Sequence, residues 1–272
     1  MSLDSSQPNC RRFDGQIAIV TGGAQGIGKA TAIRLAAEGA TVLIADRAEP
    51  EAQAVADLIT ASSGQASVVS TDLETWEGAE AVVKTAVERY GRVDVAVHNV
   101  GGTIWAKPFH LYPIDQIEKE IQRSLWPTLW CCRAVIPQMI EQQSGSIVNV
   151  GSVATRGINR VPYSAAKGGV AATTVCLAME LAEYNIRVNC VAPGGVDGGE
   201  RAVARNKGLA DYDQVDADGI KGVMDQTFRD TPMGRMGTPD ELAAAIAYMA
   251  SPDAGYVTGE VMHCSGGGAG IR

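Results

Sequence analysis

Short apolar runs alternate with amphipathic stretches along most of the chain. Gln16–Thr21 (QIAIVT) is apolar at nearly every position. That pattern predicts a short strand buried on both faces. An amphipathic stretch follows through Glu38, and the next apolar run, Thr41–Ala45, ends at Asp46. The periodicity then predicts a helix over Pro50–Ser63, a strand over Ala66–Thr71, a helix over Trp76–Tyr90 and a strand over Val93–His98. A long helical region from about Ile114 to Gln142 precedes a strand over Ser146–Gly151. A helix opening at Pro162 runs to about Tyr184, and a strand follows over Arg187–Ala192. Strands alternating with helices imply an α/β fold with one doubly wound parallel sheet and helices on both faces.

The regularity stops after Pro193-Gly194. Gly195–Gly237 is rich in glycine and charge, and the pattern predicts short helical pieces at most. A segment that long inside a compact domain is usually functional, so residues 194–237 read as a lid on the substrate side. A final helix over Pro239–Ala250 leads to a last strand within Gly259–Cys264. The expected organisation is a loose tail over residues 1–12 and a single catalytic domain over 13–272.

Composition narrows the function. With 272 residues, 46% of them apolar, the chain can bury a large core. A formal net charge of −8 argues against nucleic acid or anionic membrane as partners. His98, His110 and His263 show no metal-ligand spacing, so no metal is expected. Six cysteines without a C-x-x-C pair read as reduced thiols of a cytoplasmic protein. No apolar run is expected to reach the length of a membrane span, and residues 1–12 lack the apolar core of a signal peptide.

Two stretches carry the chemistry. The first strand runs into Gly22, Gly23, Ala24, Gln25, Gly26, Ile27 and Gly28, and then into a helix. Strand, glycine-rich turn and helix form a Rossmann-type phosphate site: glycine lets the backbone approach a pyrophosphate, and the helix N-terminus supplies N–H groups. Asp46 follows Gly28 by eighteen residues at a strand end. A carboxylate there binds ribose hydroxyls and repels a ribose phosphate, which points to NAD over NADP. The second stretch is SVATRGINRVPYSAAK, Ser152 to Lys167. Pro162 is a helix-start signal, and residues four apart share a helix face. The phenol of Tyr163 and the ammonium of Lys167 would then project side by side. A neighbouring cation favours the charged form of a phenol and makes it a usable general base. Ser152 could hydrogen-bond the same substrate oxygen.

Taken together, TGGAQGIG at Thr21–Gly28, Asp72, N-x-G at Asn99–Gly101, Ser152, Tyr163, Lys167 and Pro193-Gly194 resemble the short-chain dehydrogenase/reductase family over about residues 13–268. The resemblance implies that Ser152 positions the substrate oxygen, Tyr163 is the acid/base and Lys167 holds the nicotinamide ribose. It also implies cofactor contacts from Gly22, Gln25, Gly26, Ile27 and Gly28, from Asp46 and Arg47, from Asp72 and Leu73, and from Asn99 and Gly101. Tyr163, Lys167, Pro193, Gly194 and Val196 would complete that set, and the assembly would be a homotetramer. Within the family, NVGGTIWAKPF (Asn99–Phe109), RSLWPTLWCCRAVIPQM (Arg123–Met139) and TRGINRVPYSAAKGGV (Thr155–Val170) are similar to the bacterial benzoate cis-diol dehydrogenases. Those enzymes oxidise 1,6-dihydroxycyclohexa-2,4-diene-1-carboxylate to a catechol. Two departures stand out. Ser124 replaces the family's usual Asn, which helps hold a proton-relay water. Pro127 would leave the carbonyl of Arg123 without its helical partner, so Ser124 and that carbonyl would hold the water together. After the Pro-Gly turn, Gly198 or Gly199 stands where a Thr usually touches the carboxamide.

The implied reaction is NAD-dependent oxidation of a cis-dihydrodiol carboxylate with loss of carbon dioxide. Rivals are the p-cumate diol oxidised without decarboxylation, another substrate such as a 3-oxoacyl ester, sugar or steroid, and a cofactor-binding regulator without catalysis. An anionic diol entering an acidic protein needs a local cation, and a guanidinium forks onto a carboxylate. Arg160 is the first candidate, three residues from Tyr163. Arg205 in the expected lid is second, and Arg156 is third.

Overall fold

The computed structural model describes residues 10–199 and 212–268. Seven parallel strands form one sheet in the order β3-β2-β1-β4-β5-β6-β7. They are β1 (Ile17–Thr21), β2 (Thr41–Asp46), β3 (Gln65–Ser70), β4 (Val95–His98), β5 (Gly145–Val150), β6 (Ile186–Pro193) and β7 (Val261–Cys264). Between them run α1 (Gly26–Ala37), α2 (Glu49–Ala61), α3 (Trp76–Tyr90), α4 (Ile114–Ser124), α5 (Trp126–Gln142), α6 (Val161–Leu181), α7 (Gln214–Arg229) and α8 (Pro239–Ala250). Central strands are apolar throughout because neighbouring residues enter opposite cores. Ala18 and Val20 pack with Leu35, Val55, Leu242 and Ile246 on one face. Ile19 packs with Val82, Val135, Met139 and Leu181 on the other. The chain steps from β1 to opposite sides of the sheet, to β2 and to β4. That switch point is where such sheets bind ligands.

The structure corrects four expectations. Ile114–Gln142 is two helices, broken at Leu125, and Pro127 lies in the first turn of α5. It therefore removes no bond from a helix interior. Gly195–Gly237 contains the sixteen-residue α7 rather than short pieces. The expected loose tail does not reach Arg12, whose guanidinium pairs with buried Glu38 at 2.6 Å. Finally, Val161–Tyr184 is long and apolar enough to cross a membrane by length and composition. In this fold it lies against β6, with Tyr163, Ala166, Lys167 and Val170 buried.

Candidate active site

A cleft of about 400 Å³ opens over the carboxyl ends of β1, β2, β4, β5 and β6. Along one side runs the glycine turn. Gly22 and Gly26 have φ of +64° and +57°, which side chains rarely adopt. No atom lies within 4 Å of where a Cβ on Gly26 would sit, so that position is open toward the cleft. A Cβ on Gly28 would meet the Gly22 carbonyl at 2.0 Å. Gly28 therefore does not line the cleft; it lets α1 pack against the turn. The first turn of α1 holds no acidic residue and Gln25 makes no side-chain cap. Its amide groups and dipole are left to favour an anion, as a dinucleotide pyrophosphate requires.

Asp46 reaches across to brace the same turn. Its two carboxylate oxygens accept N–H bonds from Ala24 (3.1 Å) and Ala48 (3.0 Å). Arg47 also lines the cleft, with Nη1 3.8 Å from Glu74 Oε1. Asn99 ties the turn to β4: its amide group donates to Thr21 O and Gly22 O, each at 3.2 Å. Leu73 borders the cleft, whereas the Asp72 side chain does not. Asp72 Oδ1 instead accepts the Glu74 N–H at 3.0 Å and shapes the turn into α3.

Ser152, Tyr163 and Lys167 come together on the wall beyond β5. Pro162 sits in the first turn of α6 and Arg160 at its N-cap, so the helix starts where the tyrosine must enter. Ser164 Oγ fastens that start by donating to Ala154 O at 2.6 Å. Ser152 Oγ accepts the Ala154 N–H at 3.0 Å, and a hydroxyl that accepts can still donate. Lys167 Nζ donates to Val150 O at 2.7 Å. A Cβ on Gly101 would stand 3.0 Å from that ammonium, so glycine there gives the lysine its passage. Pro193, Gly194, Val196 and Gly198 close the far side, with Val196 bridged to Gly237. Gly199 lies off the cleft.

Ser124 stands behind the wall. It is fully buried and accepts the Gly102 N–H at 3.2 Å. It lies beside Gly101 and Gly102, which line the cleft. The arginine that does reach the cleft from α4 is Arg123, which donates to Glu74 at 2.5 Å. Arg160 borders both this cleft and a second cavity of about 600 Å³ beyond Ser152. Its guanidinium lies 6.0 Å from the centre of the Tyr163 ring. Arg156 is exposed and lines only the second cavity. Arg205 lies outside the described residues.

The lining from Val223, Met224 and Thr227 on α7, and from Thr103 and Met236, escaped sequence reasoning. So did Glu120, buried in α4, whose Oε1 accepts the N–H groups of Ile104 and Trp105 at 2.8 Å each. Burial, and then the Glu120 charge, push the Tyr112 phenol well above its ordinary range. It stays a donor, to Trp105 O and Asn159 O. Among the described residues no group of three or more His, Cys, Asp or Glu could hold a metal ion.

Residues 16–208 match the family described as short chain dehydrogenase. The chain belongs to that family. It is an oxidoreductase. Among its relatives is the 1,6-dihydroxycyclohexa-2,4-diene-1-carboxylate dehydrogenase of Acinetobacter baylyi, 49% identical over 96% of this chain and 98% of that one. The enzyme of the same name from Pseudomonas putida is 46% identical over 96% of each chain. A solved structure, titled crystal structure of gox2181, superposes with a TM-score of 0.84 at 32% identity, over 95% of this chain and 97% of that one.

Proposed function

We propose that this short-chain dehydrogenase oxidises 1,6-dihydroxycyclohexa-2,4-diene-1-carboxylate or a ring-substituted analogue, with NAD, to a catechol and carbon dioxide. The glycine turn, Asp46, Asn99, Tyr163, Lys167 and Val196 would hold the cofactor. When bound, NAD accepts a hydride from the substrate carbon.

The chain's own residues handle the proton and the orientation. Tyr163 takes the proton from the hydroxyl on the carbon that loses hydride. Ser152 donates to the same oxygen and fixes its place. Lys167, held by Val150 O, keeps a positive charge beside the reacting groups. The product is a ketone beta to the carboxylate. Its C–C bond to the carboxylate breaks with the electrons flowing into an enol, and that enol is aromatic, so loss of carbon dioxide is downhill.

The observation that carries this reading is Arg160. A guanidinium 6.0 Å from the Tyr163 ring, bordering the cleft, offers a carboxylate partner beside the reacting carbon. The names of the two relatives support the same substrate. The test compares the diol acid with the neutral cis-diol of benzene, following NADH and released carbon dioxide. Arg160→Ala is expected to raise the Michaelis constant for the acid by about 2 kcal/mol equivalent, the scale of a lost charge-assisted bond, and to change the neutral diol far less. If the parent turns over both diols equally well, the carboxylate reading fails.

A further inference from the structure

Helix α7 is fastened to two loops that flank the cleft. At its first turn, Lys107 Nζ and Asp216 Oδ2 stand 3.0 Å apart, with side chains only 5% and 1% exposed. Taking two charges out of water is costly, and only a close partner offsets it. Neither residue lines the cleft. Next to the pair, a Cβ on Gly219 would lie 1.7 Å from Ala106 O, so the helix sits as close to that loop as backbone allows. Tyr212, just before α7, donates to Ile104 O at 2.8 Å. Further along, Gln226 accepts the Ile158 N–H at 3.0 Å and donates to Arg156 O at 3.2 Å. Val223 and Met224, between these anchors, and Thr227, next to the last of them, face the cleft.

We propose that Lys107 and Asp216 are positioning residues: their buried pair fixes the wall formed by α7 and so sets the apparent affinity for the substrate without touching it. The substrate part of this inference rests on the proposed diol acid. The charges have a second consequence. The pair replaces an apolar seam, so α7 docks in one register on the loop, whereas apolar side chains tolerate sliding.

The test uses the full chain and the variants Lys107→Met, Asp216→Leu and the double variant. Each single substitution leaves one buried charge without its partner, whereas the double places two apolar groups of similar bulk there. Hydrogen exchange of the α7 amides, the Michaelis constant for the diol acid, kcat and the NADH dissociation constant are measured on all four proteins. The single variants should lose protection in α7 and raise the Michaelis constant about tenfold or more, because a small displacement at a wall is costly. Their kcat and NADH affinity should stay within about threefold of the parent. The double variant should regain both the protection and most of the Michaelis constant. Single variants that keep α7 protected with a parental Michaelis constant overturn the proposal. So does an equal loss of NADH affinity, which would mark a general structural role, and so does a double variant no better than the singles. If the parent oxidises no diol acid, the proposed substrate fails. The exchange data then decide the pair alone: protection lost in the singles and regained in the double supports it, and any other pattern overturns it.

Discussion

The roles proposed for Tyr163 and Asp46 are the two that single substitutions test most directly. Tyr163 is buried at the cleft wall, on the helix that also holds Lys167. Tyr163→Phe keeps the ring and its packing and removes only the hydroxyl. Turnover should fall at least about a hundredfold, the usual size of a general-base contribution, while NADH binding followed by fluorescence stays near the parent value. A phenylalanine variant with near-parental turnover would take this residue out of the mechanism. Asp46 would do two jobs. Its carboxylate would meet the adenosine ribose, and it already accepts N–H bonds from the glycine turn and from Ala48. A second negative charge at the ribose 2′ position would lie near it, and charge repulsion of a few kcal/mol corresponds to a preference for NAD of about a hundredfold or more. Arg47 offsets little of this, because Glu74 lies 3.8 Å from its guanidinium. Asp46→Ala should narrow the ratio of kcat/KM for NAD over NADP, and it should also weaken NAD, since the turn loses a brace. Comparable efficiency with both cofactors in the parent would refute the assignment. Gly28 and Asp72 give a lesson at the same scale. A motif marks them as neighbours of a ligand, and the structure shows what else they do: one admits close backbone packing and the other shapes a turn.

Elements were legible where burial followed a simple period. Ile17–Thr21 and Thr41–Asp46 are apolar runs buried on both faces, and such runs announce central parallel strands. Helix α7 was not legible for a physical reason. Its buried positions are Asp216 and Gly219, so the face that docks reads as polar and flexible. Its N-cap, Asp213 accepting the Asp216 N–H at 2.9 Å, was the one available signal. The break at Leu125 was hidden likewise, because α4 buries Glu120, Arg123 and Ser124 rather than an apolar stripe. Ion pairs and buried hydrogen bonds leave no periodic trace, so the loops they organise around the cleft became visible only in three dimensions. The end of β4 carries another such group. His98 is fully enclosed, with Nδ1 3.0 Å from Asn149 Oδ1 and 3.3 Å from Cys132 Sγ. Burial pushes its imidazole down to about 4. An unfolded histidine titrates near 6.5, so between about pH 6.5 and 4 the unfolded chain binds the extra proton and the folded chain does not. Stability from this residue is therefore full above about pH 6.5 and falls on acidification, by up to roughly 1.4 kcal/mol per pH unit. Thermal unfolding at a series of pH values should show a steeper acid loss for the parent than for His98→Gln. Parallel pH curves for the two proteins would remove His98 from the acid response.

Among the described residues an exposed apolar stripe lies on the helix that carries Tyr163 and Lys167. Helix α6 buries Tyr163, Lys167, Val170, Thr174 and Ala178 against the sheet. Its opposite side exposes Ala172, Val175, Cys176 and Met179, spaced by three and four residues, with Met179 80% exposed. Trp126 at the start of α5 is also exposed. A helix apolar on all sides is normally enclosed on all sides, and a contiguous exposed stripe marks a contact surface. We propose a second copy of the chain as the occupant: α6 meeting its own symmetry mate would give a self-complementary interface that closes a dimer, and a second, different interface would join two dimers into the homotetramer that the family resemblance implies. The two faces of α6 then couple assembly to chemistry. Covering the outer face would stiffen the helix whose first turns set Tyr163 and Lys167, so loss of the contact should reach the active site. Met179→Asp, alone or with Val175→Asp, puts a charge on the stripe without touching the cleft. Light scattering should find four chains in the parent and fewer in the variants, and turnover should fall as the assembly comes apart while NADH binding weakens. A parent that runs as a monomer at all concentrations would refute the interface. A variant that dissociates yet keeps full turnover would show instead that α6 holds its catalytic residues without help from a second copy.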